Sequence, residues 1–168
     1  MINKIIKYSL IFSLIVLSAC KIGYSFTGAN IAPDVKTISV EYFPNHAMLV
    51  NPNLSQSFTE SLKDKFVNQT SLELVKEDGD LQFAGEIITY KTTPAAIQGD
   101  LASQTRLTIA IKVSYINTKD SEQDFDKTFS GYTDFPSDKS LDEVEDEAVL
   151  EITEKIISDI FNASVSNW

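Results

Sequence analysis

Few residues in this 168-residue chain could do chemistry by themselves. It has one cysteine, Cys20, and one histidine, His46. A single thiol cannot close a disulfide within the chain, and one Cys with one His cannot assemble a Cys/His zinc site. His46 follows Pro44-Asn45 in a turn. No pattern places a serine beside it, and no further thiol exists, so it has no nucleophile to activate and reads as an exposed loop histidine. Asp78-Gly79-Asp80 sets two carboxylates around a glycine, but the twelve-residue calcium-loop pattern is missing, which leaves a turn. A carboxylate pair for glycoside hydrolysis is not singled out among 24 acids. There is no Gly-rich phosphate loop. No catalytic residue, metal ligand or cofactor site is singled out by these patterns, and a carboxylate-based hydrolase stays open as a further reading.

Cys20 has a more definite context. Lys4 and Lys7 form a basic start, Tyr8 to Leu17 is apolar apart from two serines, and the small residues Ser18 and Ala19 precede the thiol. That is the three-part layout of a secretory signal. The apolar run is about a dozen residues, short of the twenty or so that span a bilayer. Leu17-Ser18-Ala19-Cys20 resembles the bacterial lipobox. The resemblance implies cleavage before Cys20, diacylation of its thiol and acylation of the new amino group, palmitate being one such chain. Two or three acyl chains hold a protein on a membrane where one does not. Lys21 follows the cysteine in place of the Asp that favours inner-membrane retention, so the expected destination is the outer membrane. Residues 1–19 are read as a lipoprotein signal peptide and 20–34 as a lipid-anchored tether.

The charge balance narrows the partners. The chain has 14 Lys and Arg against 24 Asp and Glu, a net −10. Removing the signal deletes two lysines and leaves −12. Nucleic acid, which demands clustered cations, is a poor fit. So is adhesion by charge to an anionic bilayer. Gly and Pro total 11 residues, which excludes a fibrous chain.

The elements that must position any site follow from periodicity. Val35 to Phe43 reads as a strand with Ile38, Val40 and Tyr42 on one side and Thr37, Ser39 and Glu41 on the other. Asn51-Pro52 opens a helix whose stripe is Leu54, Phe58, Leu62 and Phe66. Leu72 and Leu74 make a short strand. Leu81 to Tyr90 makes another, with Leu81, Phe83 and Ile87 together. Lys91 to Ser103, containing Pro94 and Gly99, reads as a loop. Gln104 to Asn117 alternates most clearly: Leu107, Ile109, Ile111, Val113 and Tyr115 oppose Arg106, Thr108, Ala110, Lys112 and Ser114. A strand over Asp126 to Phe135 follows. Ser140 with Glu143 is a capping-box signature, opening a last helix whose buried stripe is Leu141, Val144, Ala148, Ile152, Ile156 and Ile160. The predicted fold is one α+β domain over 35–168, order β-α-β-β-β-β-α: a two-layer sandwich, a mixed β-sheet with two helices packed on one face.

Beyond these patterns, the chain resembles a known family. Cys20-Lys21-Ile22-Gly23-Tyr24-Ser25-Phe26-Thr27-Gly28, then Ile31-Ala32-Pro33 leading into the first strand, is similar to the LptE family of lipopolysaccharide-assembly lipoproteins, in its Bacteroidetes-type branch. Leu54-Ser55-Gln56-Ser57-Phe58-Thr59-Glu60 and the closing Ile160-Phe161-Asn162 with Asn167-Trp168 extend the likeness over most of the mature chain. The resemblance implies a non-enzymatic α/β sandwich that plugs the lumen of an outer-membrane β-barrel, LptD, and assists its assembly and the delivery of lipopolysaccharide. It implies an outer-membrane location, lipid-anchored, with the domain facing the periplasm or the barrel lumen. Some members bind lipopolysaccharide through basic residues, and this acidic chain departs from them there. The alternative is a generic periplasmic adaptor lipoprotein without lipopolysaccharide contact. The candidate partner or lipopolysaccharide contacts are Arg106 and Lys112, on the sheet face the helices leave bare, and Lys91 in the loop beyond it. Arg106 and Lys112 lie roughly 20 Å apart along the strand, too far to grip one phosphate together.

Overall fold

A computed structural model describes residues 31–49, 51–98 and 101–165, apart from the side chains of 96–98 and 101–103. Cys20, the expected signal peptide and most of the expected tether lie outside these residues. The elements are β1 (Thr37–Val40), α1 (Leu54–Gln69), β2 (Glu73–Leu74), β3 (Leu81–Gln98), β4 (Leu101–Asn117), a 3-10 turn (Ser121–Gln123), β5 (Phe125–Pro136) and α2 (Leu141–Val165). The five strands form one open sheet in the order β2-β1-β3-β4-β5. β1 runs parallel to β2 and β3, and β3, β4 and β5 are antiparallel neighbours, so the sheet is mixed. Both helices cover one face. The predicted order and architecture are those observed.

The helical stripes explain that layer. Leu54, Phe58, Leu62 and Phe66 of α1 are buried, as are Ala148, Ile152, Ile156 and Ile160 of α2, widened by Val149, Ile157 and Phe161, while Leu141 and Val144 in its first turn are only partly buried. Burying each large side chain fully contributes about 1.5–3 kcal/mol. Gly131 of β5 lets α2 approach: a Cβ there would lie 2.9 Å from the Ile152 side chain. An aromatic chain ties the layers together, Phe161 to Phe66 (5.1 Å between ring centroids), Phe66 to Phe83 (4.9 Å), Phe83 to Tyr115 (4.9 Å) and Tyr115 to Phe125 (5.0 Å). At the α2 start Glu143 reaches back as in a capping box: its Oε2 accepts from the Ser140 backbone N–H and hydroxyl, at 2.7 and 2.8 Å, while the Glu143 N–H donates to Ser140 O. Asn51 Oδ1 accepts from the Leu54 N–H at 3.1 Å and fixes the turn before α1.

Three local expectations are corrected. First, Tyr42 is 61% exposed, while Phe43 is buried and packs edge-on against Phe58. Val40 is level with Phe83, but Asn45 is level with Ile87. That is five residues against four, and one extra residue reverses the alternation. The Phe43 ring fills the space over Gly85, where a Cβ would lie 2.5 Å from Phe43 Cε1.

Second, within the segment expected as a loop, Lys91–Gln98 and Leu101–Ser103 are strand. β3 continues to Gln98 and β4 begins at Leu101, so Lys91 sits inside a strand opposite Thr108. An extra residue at Ile88 shifts the register between Ile87 and Thr89 and turns Tyr90 inward. Pro94 lies past the end of β1, where β3 is an edge, and an edge strand tolerates a missing N–H.

Third, Thr37 and Ser39 are not on an open face. Leu74 and Leu81 are both level with Ile38, on opposite sides of it. The chain between them crosses over β1 on the side away from the helices. Gly79 N–H donates to Ser39 Oγ (3.2 Å) and Asp80 N–H to Thr37 Oγ1 (2.9 Å). Asp78 takes a left-handed φ of 56° to make this turn. Gly79 must be glycine, because a Cβ would lie 2.5 Å from Ser39 N.

Candidate partner interface

The sheet face away from the helices is bare over β3, β4 and β5. Its rows follow from the register: Thr93, Arg106 and Asp134; Lys91, Thr108 and Tyr132; Thr89, Ala110 and Ser130; Glu86, Lys112 and Thr128; Ala84, Ser114 and Asp126. Hydroxyls and small side chains fill the middle and charges sit toward the ends. The surface can offer many hydrogen bonds to a matching wall but encloses no reactant.

Arg106 is held rather than free. Its Nε and Nη2 donate to the two carboxylate oxygens of Asp134 at 2.7 and 2.8 Å, and its guanidinium carbon lies 3.7 Å from the centre of the Tyr132 ring. This fork-to-fork pair holds the Asp134 carboxyl below its ordinary value and raises the guanidinium above its own. Lys112 is exposed and level with Glu86. Lys91 is exposed on the same face as Arg106, with one row, Thr89, Ala110 and Ser130, between it and Lys112. Neither lysine forms an ion pair among the described residues. The structure thus puts all three candidate cations on one face but does not cluster them.

His46 stands at the border of this face, 62% exposed, with Nδ1 2.7 Å from Glu86 Oε2. Asp80 is structurally committed: its carboxylate takes Lys119 Nζ at 2.9 Å and the Lys36 and Thr37 N–H groups at 2.8 and 3.0 Å. The Lys119 hydrogen bond first, then the two backbone donors, hold it far below the ordinary carboxylate range. Tyr90 donates to Glu145, pinning β3 to the first turns of α2. Burial, then that carboxylate, raises the Tyr90 phenol above its usual value. Burial pushes the Tyr115 phenol up to about 12. No group of three or more His, Cys, Asp or Glu suited to a metal ion occurs among the described residues. Sequence reasoning missed Tyr132 and Asp134 as the clamp on Arg106. Their alternation within β5 was readable, but the register that sets them beside Arg106 was not.

The fold defines a class: small two-layer α/β domains. Solved structures share that fold. A hypothetical protein, CT253, from Chlamydia trachomatis is similar with a TM-score of 0.56 and 12% identity, over 79% of this chain and 99% of that one. Uncharacterized lipoprotein B from Nitrosomonas europaea gives 0.51 and 9%, over 83% and 88%. The rare lipoprotein B from Shewanella oneidensis gives 0.50 and 10%, over 76% and 90%. At these identities they share the fold alone. No curated protein matches the chain in sequence. A model of the LptE family, described as lipopolysaccharide-assembly, matches residues 35–164, and the chain belongs to that family.

Proposed function

We propose that this chain is a non-catalytic lipoprotein of the outer membrane, anchored through Cys20, that plugs an LptD-like β-barrel and supports lipopolysaccharide transport to the cell surface. Family membership supports the assembly role. The observation that carries the barrel contact is the bare, hydroxyl-rich face of β3, β4 and β5. A lumen lined with polar side chains and water is matched by shape and many neutral hydrogen bonds, which this face offers. It does not need the positive charge that the chain lacks. Direct gripping of lipopolysaccharide would fall to Lys91 and Lys112, since Asp134 already neutralises Arg106.

The double change Arg106→Glu with Lys112→Glu tests the face. In a folded, lipidated protein it should abolish co-purification of the barrel and make cells detergent-sensitive. Retention of both properties would remove this face from the interface. Purification with inner-membrane or peptidoglycan partners in place of a barrel would favour the adaptor reading.

A further inference from the structure

The two edges of the sheet are built differently. On one side β2 is only two residues long, and β1 beyond it is bulged and then meets Pro44. Short strands, bulges and prolines are how proteins keep an edge from pairing. On the other side β5 pairs with β4 over Phe125 to Pro136 without one register shift.

Which backbone groups of β5 face outward can be worked out. Thr118 N–H donates to Asp80 O at 2.9 Å, continuing the pairing of Leu81 with Asn117. Even-numbered residues of β4 therefore bond to β3 and odd-numbered ones turn to β5. Asn117 fits this, its N–H donating to Asp124 Oδ1 at 2.7 Å. The β5 residues level with odd-numbered β4 residues are Phe125, Lys127, Phe129, Gly131, Thr133 and Phe135. Their backbones are spent on β4. Asp126, Thr128, Ser130, Tyr132 and Asp134 then direct N–H and C=O outward in the plane of the sheet. All five are exposed, and no backbone bond from them to another element forms among the described residues.

We propose that this edge of β5 accepts an extended strand from another polypeptide, one that carries a basic residue opposite Asp126 and apolar residues over Phe125 and Phe129. The charge follows from the acids at that end, Asp120, Glu122, Asp124 and Asp126. The apolar requirement follows from Phe125 and Phe129, which pack against the core yet stay partly exposed on the helix side. Lys127 between them places its ammonium over the Phe125 ring, 5.3 Å from its centre. A second copy of this chain is a poor occupant. Two-fold pairing centred on Ser130 would set Asp126 of one copy against the Arg106-paired Asp134 of the other, twice, so Asp126 would meet a carboxylate rather than the basic residue it calls for. The −12 of each mature chain adds repulsion between the copies. This inference does not depend on the barrel reading.

The test is amide exchange on the full lipidated protein in detergent micelles, with and without a capped ten-residue peptide that alternates Val with Lys or Thr. Saturating peptide should slow exchange of the Thr128, Ser130 and Tyr132 amides by about tenfold or more, as ladder formation does. Ser130→Pro removes an outward N–H and no bond to β4, so the protein should fold and lose the protection. Ser130→Ala should keep it. Absence of protection in the wild type overturns the proposal, and so does protection that survives in a folded Ser130→Pro protein. Equal loss in Ser130→Ala would mean a side-chain contact and also overturns it. So would a dimer in which these amides are protected without peptide. If Ser130→Pro unfolds, the wild-type exchange decides alone.

Discussion

Gly85 stands where Phe43 and the Lys112 carbonyl converge. A Cβ there would lie 2.1 Å from Lys112 O and 2.5 Å from the Phe43 ring, and the carbonyl is backbone that cannot swing away. Gly85→Ala should therefore cost about 2–3 kcal/mol through overpacking, read as a lower chemical-denaturation midpoint. Unchanged stability would mean β3 and β4 can part locally without loss. Tyr90→Phe removes the hydrogen bond to Glu145 at a buried ring, and a loss of about 1.5–3 kcal/mol is expected for a bond to a charged group. At Cys20 the expectation rests on sequence. Cys20→Ala should abolish incorporation of labelled fatty acid, and label persisting in that variant would contradict the lipobox reading. These residues differ in how legible they were. Cys20 is defined by its neighbours in the chain. Gly85 is defined by Phe43 and Lys112, 42 and 27 positions away, and nothing local marks it.

Elements with sustained periodicity were readable; those set by register were not. The Leu107 to Tyr115 alternation and the two helical stripes specify which side is buried, because a packed layer needs apolar residues at one repeat only. Ile109→Asp or Ile152→Asp should consequently unfold the domain, each placing an unpaired charge where exposure is 0% and 1%. Thermal melts check this, with Glu41→Lys on the exposed side expected to stay within about 1 kcal/mol of wild type. Greater damage from Glu41→Lys than from Ile109→Asp would reverse the assignment of faces. The reading failed at the bulges. One extra residue between Val40 and Asn45 put Phe43 inside and Tyr42 outside, and another at Ile88 turned Tyr90 inward. Pro94 signals a break when read locally, yet β3 continues to Gln98 because the missing N–H of Pro94 points off its edge. Arg106 and Lys112 were readable as lying on the side of β4 away from the helices, but Lys91 read as loop, and the Asp134 and Tyr132 clamp on Arg106 needed the β4–β5 register.

At the scale of the whole molecule, acid is the relevant stress. Asp80, Asp134 and Glu143 all have carboxyls held below their ordinary values by donors in the folded state. A depressed folded value means stability that is present above the unfolded value, about 3.9–4.3, and lost as pH falls below it. The melting temperature should thus drop steeply from about pH 4 downward, and Asp80→Asn should flatten that drop. An acid profile unchanged by Asp80→Asn would show that the crossover over β1 does not depend on this carboxylate.

In the proposed function, the barrel contact rests on shape and neutral hydrogen bonding from the open face of β3, β4 and β5. The most direct measurement is affinity purification of the mature, Cys20-anchored protein from outer membranes, followed by identification of what stays bound. The account predicts one large β-barrel recovered with the wild type and lost from a folded Arg106→Glu, Lys112→Glu double variant. A wild-type protein that brings down no barrel, or a double variant that retains it undiminished, would contradict the account.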